Sequence, residues 1–211
     1  MKFLSVLTLL MIVIAVLPAQ AQELHETPPP VFFREDFKEI PPVTPITQEH
    51  INTDGLLLAL HGPGKEMIKK SHHDQPLDDP YYIWSGQCEG TWALTLSKRG
   101  TAMDLSNGAV SWRTKNYDRI TYIVIGLGDG SWLVSERGTG ETPNWQEFTI
   151  DFAGMRWKKL NIATVVAGDL VENPDLSNVK SIGFTDLEKG GMSASATRLD
   201  FIEVYGRAAA K

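Results

Sequence analysis

The chain has 211 residues and one cysteine, Cys88, so no intramolecular disulfide is available and the fold must be held by its core. A lone Cys in GQCEGTW, entering an expected strand, reads as a small buried hydrophobe rather than a nucleophile. No P-loop, dinucleotide fingerprint, nucleophile elbow or HExxH motif occurs; the glycines of Gly126-Leu127-Gly128-Asp129-Gly130 belong to a turn. Basic runs do not exceed pairs (Lys69-Lys70, Lys158-Lys159), and the formal charge is −6, which argues against nucleic acid and anionic membrane surfaces as partners. There is no Asn-x-Ser/Thr sequon, compatible with a bacterial origin. Sustained 3.6-residue apolar periodicity is missing too, which excludes a helical core.

The one long apolar run is at the start. Lys2 is followed by apolar residues 3–17, interrupted only by Ser5 and Thr8, and then by Ala19-Gln20-Ala21, the small-x-small pattern of a signal peptidase site. The run is short for a bilayer span, which takes roughly 20 residues. Residues 1–21 therefore read as a cleaved signal peptide, and the product is expected to be periplasmic or extracellular, with no membrane attachment after cleavage. Cleavage removes Lys2 and no acid, taking the charge to −7. Residues 22–30 end in three prolines and read as a disordered leader, 31–206 as one domain, and 207–211 as a disordered tail.

What remains is rich in Val, Ile, Thr and aromatics, cut every 8–12 residues by Gly, Asn, Asp or Pro. Strands are expected over 31–37, 56–60, 81–85, 91–98, 101–106, 109–115, 119–127, 131–136, 146–152, 160–166, 179–186 and 197–205. That spacing predicts an all-β fold, a two-sheet antiparallel β-sandwich of jelly-roll type in a single domain. Asn107-Gly108 predicts a type I′ hairpin pairing Leu105 with Val110, Asp104 with Ser111 and Met103 with Trp112. Met103, Leu105, Val110 and Trp112 then form a core face, and Asp104, Ser111 and Arg113 a polar one. Asp129-Gly130 predicts a second hairpin with Leu127 opposite Trp132 and Ile125 opposite Val134; both its faces are apolar, as in mid-sandwich strands. Over 146–152, Phe148, Ile150 and Phe152 point inward.

Two segments carry a resemblance. PNWQEFTIDFAG (143–154) and NVKSIGFTDLEKGGMSASATRLDFIEVYG (178–206) resemble galactose-binding-like jelly rolls, in which a Trp opens a strand ending Asp-Phe and the chain closes on Leu-Asp-Phe-Ile-Glu-Val-Tyr-Gly. The likeness covers the C-terminal half, from Gly108 onward. It implies the jelly-roll fold and, for most members of that superfamily, sugar binding; others are assembly factors or lipid or peptide binders. It also implies that the chain ends run side by side, where carboxylates often hold a structural Ca²⁺; here these are Glu35, Asp36, Asp200 and Glu203. This chain departs from such modules in its length and in its long 39–86 region.

Saccharide recognition needs flat aromatic faces and bidentate polar groups for hydroxyls. Of six tryptophans, Trp92, Trp112 and Trp132 are expected in the core. Tyr81, Tyr82 and Trp84, after Asp78-Asp79-Pro80, are expected on a loop-to-strand segment open to a ligand. The polar face of Asp104, Ser111 and Arg113, with Arg119 or Arg137 nearby, offers the donor fork and acceptor that vicinal hydroxyls favour. His72-His73-Asp74, with His61 and Asp79, lacks metal-site spacing, because adjacent residues of a strand face opposite ways. The expectation is a monomeric, secreted saccharide- or polysaccharide-binding protein without catalysis. The alternatives are a small glycoside hydrolase or polysaccharide lyase with its site in 39–86, and an exported assembly protein. The 26 acidic residues single out no catalytic pair.

Overall fold

Among the described residues the chain forms thirteen strands, most of them where the alternation predicts one. The computed structural model describes residues 29–75, 79–190 and 194–210; the expected signal peptide lies outside them. The strands are β1 Val31–Glu35, β2 Leu56–His61, β3 Lys69–Ser71, β4 Tyr82–Trp84, β5 Ala93–Lys98, β6 Met103–Thr114 and β7 Tyr122–Leu127. They continue with β8 Trp132–Ser135, β9 Gln146–Asp151, β10 Trp157–Asn161, β11 Val166–Val171, β12 Val179–Thr185 and β13 Arg198–Ala208. β13 runs two residues past the expected domain end at Gly206, with Arg207 and Ala208 paired to Asp104 and Met103.

Every pairing is antiparallel, and the strands fall into two layers. Sheet I runs β11-β10-β8-β7-β12-β5-β2. Sheet II runs β9-β6-β13, with β1 and β4 one after the other along the far edge of β13 and β3 on β4. A single corner pair, Val179 with Met103, joins the layers. Between them lies one apolar core, to which sheet I sends Leu94, Ile123 and Phe184 and sheet II sends Val110, Trp112 and Ile202. The fold is thus the two-sheet antiparallel β-sandwich of jelly-roll type, with first and last strands adjacent.

The hairpin at Asn107-Gly108 does not form. Residues 103–114 are one strand, and neither Asn107 nor Gly108 has the positive φ that a type I′ turn needs. The long edge of β13 pairs with both halves of β6, and β9 pairs with its other side. A hairpin would forfeit those ladders. The expected faces survive because the strand bulges at 106–108, which shifts the alternation by one: Met103, Leu105, Val110 and Trp112 are all buried. The turn at Asp129-Gly130 does form, but with three loop residues. Leu127 O accepts from Gly130 N at 3.1 Å and Leu127 N donates to Ser131 O at 2.9 Å, with Gly130 at φ 90°. This type I turn plus bulge moves the register by one, setting Gly126 opposite Trp132 and Ile125 opposite Leu133. Trp132 therefore leaves the main core for the outer face of sheet I. The strand expected at 160–166 is displaced as well: its middle is the turn between β10 and β11.

That outer face is filled by the protein itself. Val165 and Leu160 pack on Val124 and Val134, and Trp132 joins them by lying across Gly126, where a Cβ would strike the indole at 3.0 Å. The Trp132 and His61 rings meet edge-to-face at 5.1 Å. Four strand spacings, about 19 Å if flat, separate their strands, so the sheet curls strongly.

Candidate functional site

Sheet II presents its outer face through Ser111 and Arg113 on β6, Asp200 and Glu203 on β13, and Thr149 on β9. Ser111 Oγ is 2.5 Å from Thr149 Oγ1. Arg113 Nη1 donates to Asp200 Oδ2 at 3.0 Å, and its guanidinium lies 5.5 Å from the Trp145 ring centroid. Asp104 does not join them. It sits nine residues up the same strand, roughly 25–30 Å away at ~3.3 Å per residue, and its carboxylate accepts from Ser106 N at 3.0 Å. Arg119 is buried elsewhere, donating to Lys189 O at 2.9 Å.

The expected aromatic trio divides. Tyr81 stacks on His72 with ring centroids 4.0 Å apart, beneath the Lys70 ammonium at 4.2 Å. The half-buried Trp84 takes Lys69 Nζ over its ring at 5.5 Å. Tyr82, although buried, is the one that reaches a cavity. Trp92 and Trp112 are fully buried in the core, as expected.

The four carboxylates proposed for calcium do not converge. Glu35 turns inward, where Oε1 accepts from Phe37 N at 2.7 Å and Asn52 N at 2.8 Å, and Oε2 from Thr53 N at 2.9 Å. Asp36 pairs with Arg34 at 2.7 Å, Asp200 with Arg113, and Glu203 accepts from the Tyr205 hydroxyl. No group of three His, Cys, Asp or Glu stands ready for a metal among the described residues. These residues do not fit a Ca²⁺ ion, because amides and guanidinium groups already occupy the oxygens that it would need. Cys88 is likewise inert: burial, reinforced by Asp186, pushes its thiol up to about 12.

A cavity of about 190 Å³ opens where β4, the start of β13 and the β3–β4, β6–β7 and β8–β9 connections meet. Its aromatic walls are Tyr82, Trp145 and Tyr117; the Tyr82 and Trp145 centroids are 5.5 Å apart at 59°, and Tyr117 is 48% exposed. Its polar groups are Lys115, Arg198, His73 and Asp79. Asp79 Oδ2 accepts from His73 N at 3.1 Å and lies 3.1 Å from His73 Nδ1, which is 2.9 Å from the Tyr82 hydroxyl. Burial raises the Tyr82 phenol above its ordinary range, so it stays a neutral donor or acceptor.

Two wider clefts, about 660 and 650 Å³, flank residues 171–175 but suit a flat ligand less well. The rings in the first, Phe152 and Trp157, are 3% and 1% exposed, so no ligand can stack on them. The second has one ring, Trp132, already in contact with His61.

Of the residues expected to bind ligand, the structure thus brings Tyr82 to the cavity and Arg113 to its edge behind Trp145. Lys115 and Arg198 were missed, although Lys115 continues the 111, 113, 115 alternation and was readable from it. Trp145 was noticed only as the start of a strand. Tyr117 carried no sequence signal, since a loop aromatic gains meaning only from its neighbours in space.

No protein-family model and no curated protein sequence matches this chain. Solved structures do. A family 11 carbohydrate-binding module of a Clostridium thermocellum cellulosomal cellulase aligns over 82% of this chain and 92% of its own, at 14% identity and a TM-score of 0.44. A carbohydrate-binding module from Cellvibrio mixtus lichenase 5A, in complex with cellotriose, covers 79% and 96% at 8% identity and 0.30. A cyclase from Fischerella sp. TAU covers 81% and 90% at 11% identity and 0.41. The similar structures thus include jelly-roll carbohydrate-binding modules, as the resemblance read in residues 143–154 and 178–206 implied. With every TM-score below 0.5, the fold stands on its own strand pairing.

Proposed function

We propose that this chain is an exported saccharide-binding protein that holds one sugar ring in the cavity between Tyr82, Tyr117 and Trp145. The observation that carries this reading is two accessible aromatic rings, Trp145 and Tyr117, around a 190 Å³ space that is floored by the buried Tyr82 and also offers hydrogen-bonding groups of both kinds. Pyranose rings have apolar C–H faces and a polar rim, so a site for them needs both surfaces at once. The cavity is smaller than the ~300–1,000 Å³ of sites for drug-sized ligands, which fits one residue of a longer glycan. The exposed ring of Tyr117 then serves the next residue along.

The 39–86 segment supplies His73, Asp79 and Tyr82, the observation that favours a catalytic alternative. Acid-base cleavage of a glycosidic bond takes two carboxyl groups about 5–10 Å apart. Among the described residues Asp79 is the single carboxylate lining this cavity, and it is committed to His73. Binding without cleavage is the reading adopted.

Affinity electrophoresis and calorimetry against plant, algal and bacterial polysaccharides test it. Trp145→Ala should weaken retention at least about ten-fold, ~1.4 kcal/mol, without lowering the melting temperature appreciably. No reducing ends should appear in the same mixtures. Absence of retention on every glycan would overturn the reading, and release of reducing ends would restore the hydrolase.

A further inference from the structure

The ladder between β6 and β13 places Thr114 opposite Leu199, and one step outward Lys115 N donates to Arg198 O at 3.0 Å. Two cations therefore stand directly opposite each other on neighbouring strands, an arrangement that costs stability unless something offsets it. No ion pair among the described residues does. Among the described residues neither Lys115 nor Arg198 has a carboxylate within 4.0 Å, whereas Arg34, Arg113, Arg119 and Arg156 on the same molecule each do. Arg198 lies beside the Tyr82 phenol, and its Nη1 is buried without a hydrogen-bond partner. Buried donors are ordinarily satisfied, so a guanidinium with one orphaned N–H, on a residue that lines the cavity, is short of an acceptor. The acid on the wall among the described residues, Asp79, spends its Oδ2 on His73.

From this juxtaposition we infer that the saccharide in the cavity is acidic, its oxyanion seated between Lys115 and Arg198 while its ring packs against Trp145 and Tyr117. This deepens the saccharide-binding reading and rests on it. The oxyanion is a uronate carboxylate or a sulfate ester. Arg198 offers a planar fork to either, and Lys115 adds a point charge. The mature chain is acidic overall, so this pair is a local reversal of sign and not part of a general basic surface.

Calorimetry with four oligosaccharide probes separates the possibilities: an oligogalacturonate, its carboxyl-reduced neutral counterpart, a sulfated galactan oligosaccharide, and its desulfated form. One acidic probe should bind at least about ten-fold more tightly than its neutral partner, with affinity falling as NaCl rises from roughly 50 to 500 mM. Which acidic probe prefers the protein identifies the oxyanion. Lys115→Met and Arg198→Met should each erase the preference, whereas Trp145→Ala should weaken acidic and neutral probes alike. Lys115→Met should also leave the melting temperature unchanged or raised, since it relieves repulsion. Equal binding of acidic and neutral probes, or a Lys115→Met protein that melts lower or keeps its preference, overturns the inference and leaves saccharide binding standing. If neither these probes nor any neutral glycan binds the wild-type protein, both readings fall.

Discussion

Arg113 and Arg198 lie on the same face of adjacent strands and differ in what surrounds their guanidinium groups. Arg113 is spent on Asp200, whose side chain is only 16% exposed and whose carboxyl burial raises above the usual range, with Arg113 pulling the other way. Reading Arg113 as a free ligand contact, as the alternation alone suggests, would make its removal nearly silent for stability. The ion pair changes that expectation. Arg113→Ala should cost about 1–2 kcal/mol near pH 7, because it strands a half-buried carboxylate. Since the folded-state pKa of Asp200 lies above its unfolded value, whatever stability it contributes is present at low pH and lost as pH rises through the folded value. The deficit of the variant should therefore shrink toward pH 4 and widen toward pH 8 in urea titrations. A deficit independent of pH would mean that the pair carries no weight.

Among the elements, β1 shows how a residue expected at a site can be structural instead. The jelly-roll resemblance implies Glu35 as a calcium ligand, since it places the two chain ends side by side. In the fold Glu35 is buried, and its carboxylate ties the end of β1 to the 52–53 segment through two backbone amides while accepting a third from Phe37. Glu35→Gln replaces one accepting oxygen by a donor facing an N–H. It should cost about 2–4 kcal/mol, read as a lower urea midpoint with an unchanged m-value. Added calcium should shift neither protein. The 103–114 strand makes the complementary case. Its apolar residues were assigned to the correct face through a hairpin that does not exist, because a bulge and a two-residue turn both shift alternation by one. Local pattern determines which side chains need burial; it leaves open the path by which the backbone delivers them.

For the whole molecule, pH has a second lever in Lys70, held in sheet II with its ammonium buried, lacking a hydrogen-bond partner and lying over the Tyr81 ring. Burial lowers its pKa to about 8, with Asp200, Glu39 and Glu35 partly opposing. A depressed lysine pKa means that the unfolded chain binds more protons between about 8 and 10.5. The contribution of this group thus rises with pH across that window, by on the order of 3 kcal/mol. Lys70→Met should stabilise the protein at pH 7 and flatten the alkaline rise. An unchanged pH profile in the variant would show that the ammonium finds water.

The sequence by itself determined the all-β character, the number and spacing of most strands, the inward residues of β6, β7 and β9, and the burial of Trp92, Trp112 and Cys88. These follow from period-2 alternation and residue size, which act over a few neighbouring positions. Only the tertiary structure decided that Asn107-Gly108 is a bulge, that Trp132 closes the outer face of sheet I, and that Arg113 is neutralised. It alone brought His73, Asp79, Tyr82, Lys115, Tyr117, Trp145 and Arg198, spread over 126 positions of the chain, around one cavity. The physical reason is that a strand's partner is chosen by long-range ladders and core packing. Those settle after local propensity has had its say and can overrule even a strong turn signal.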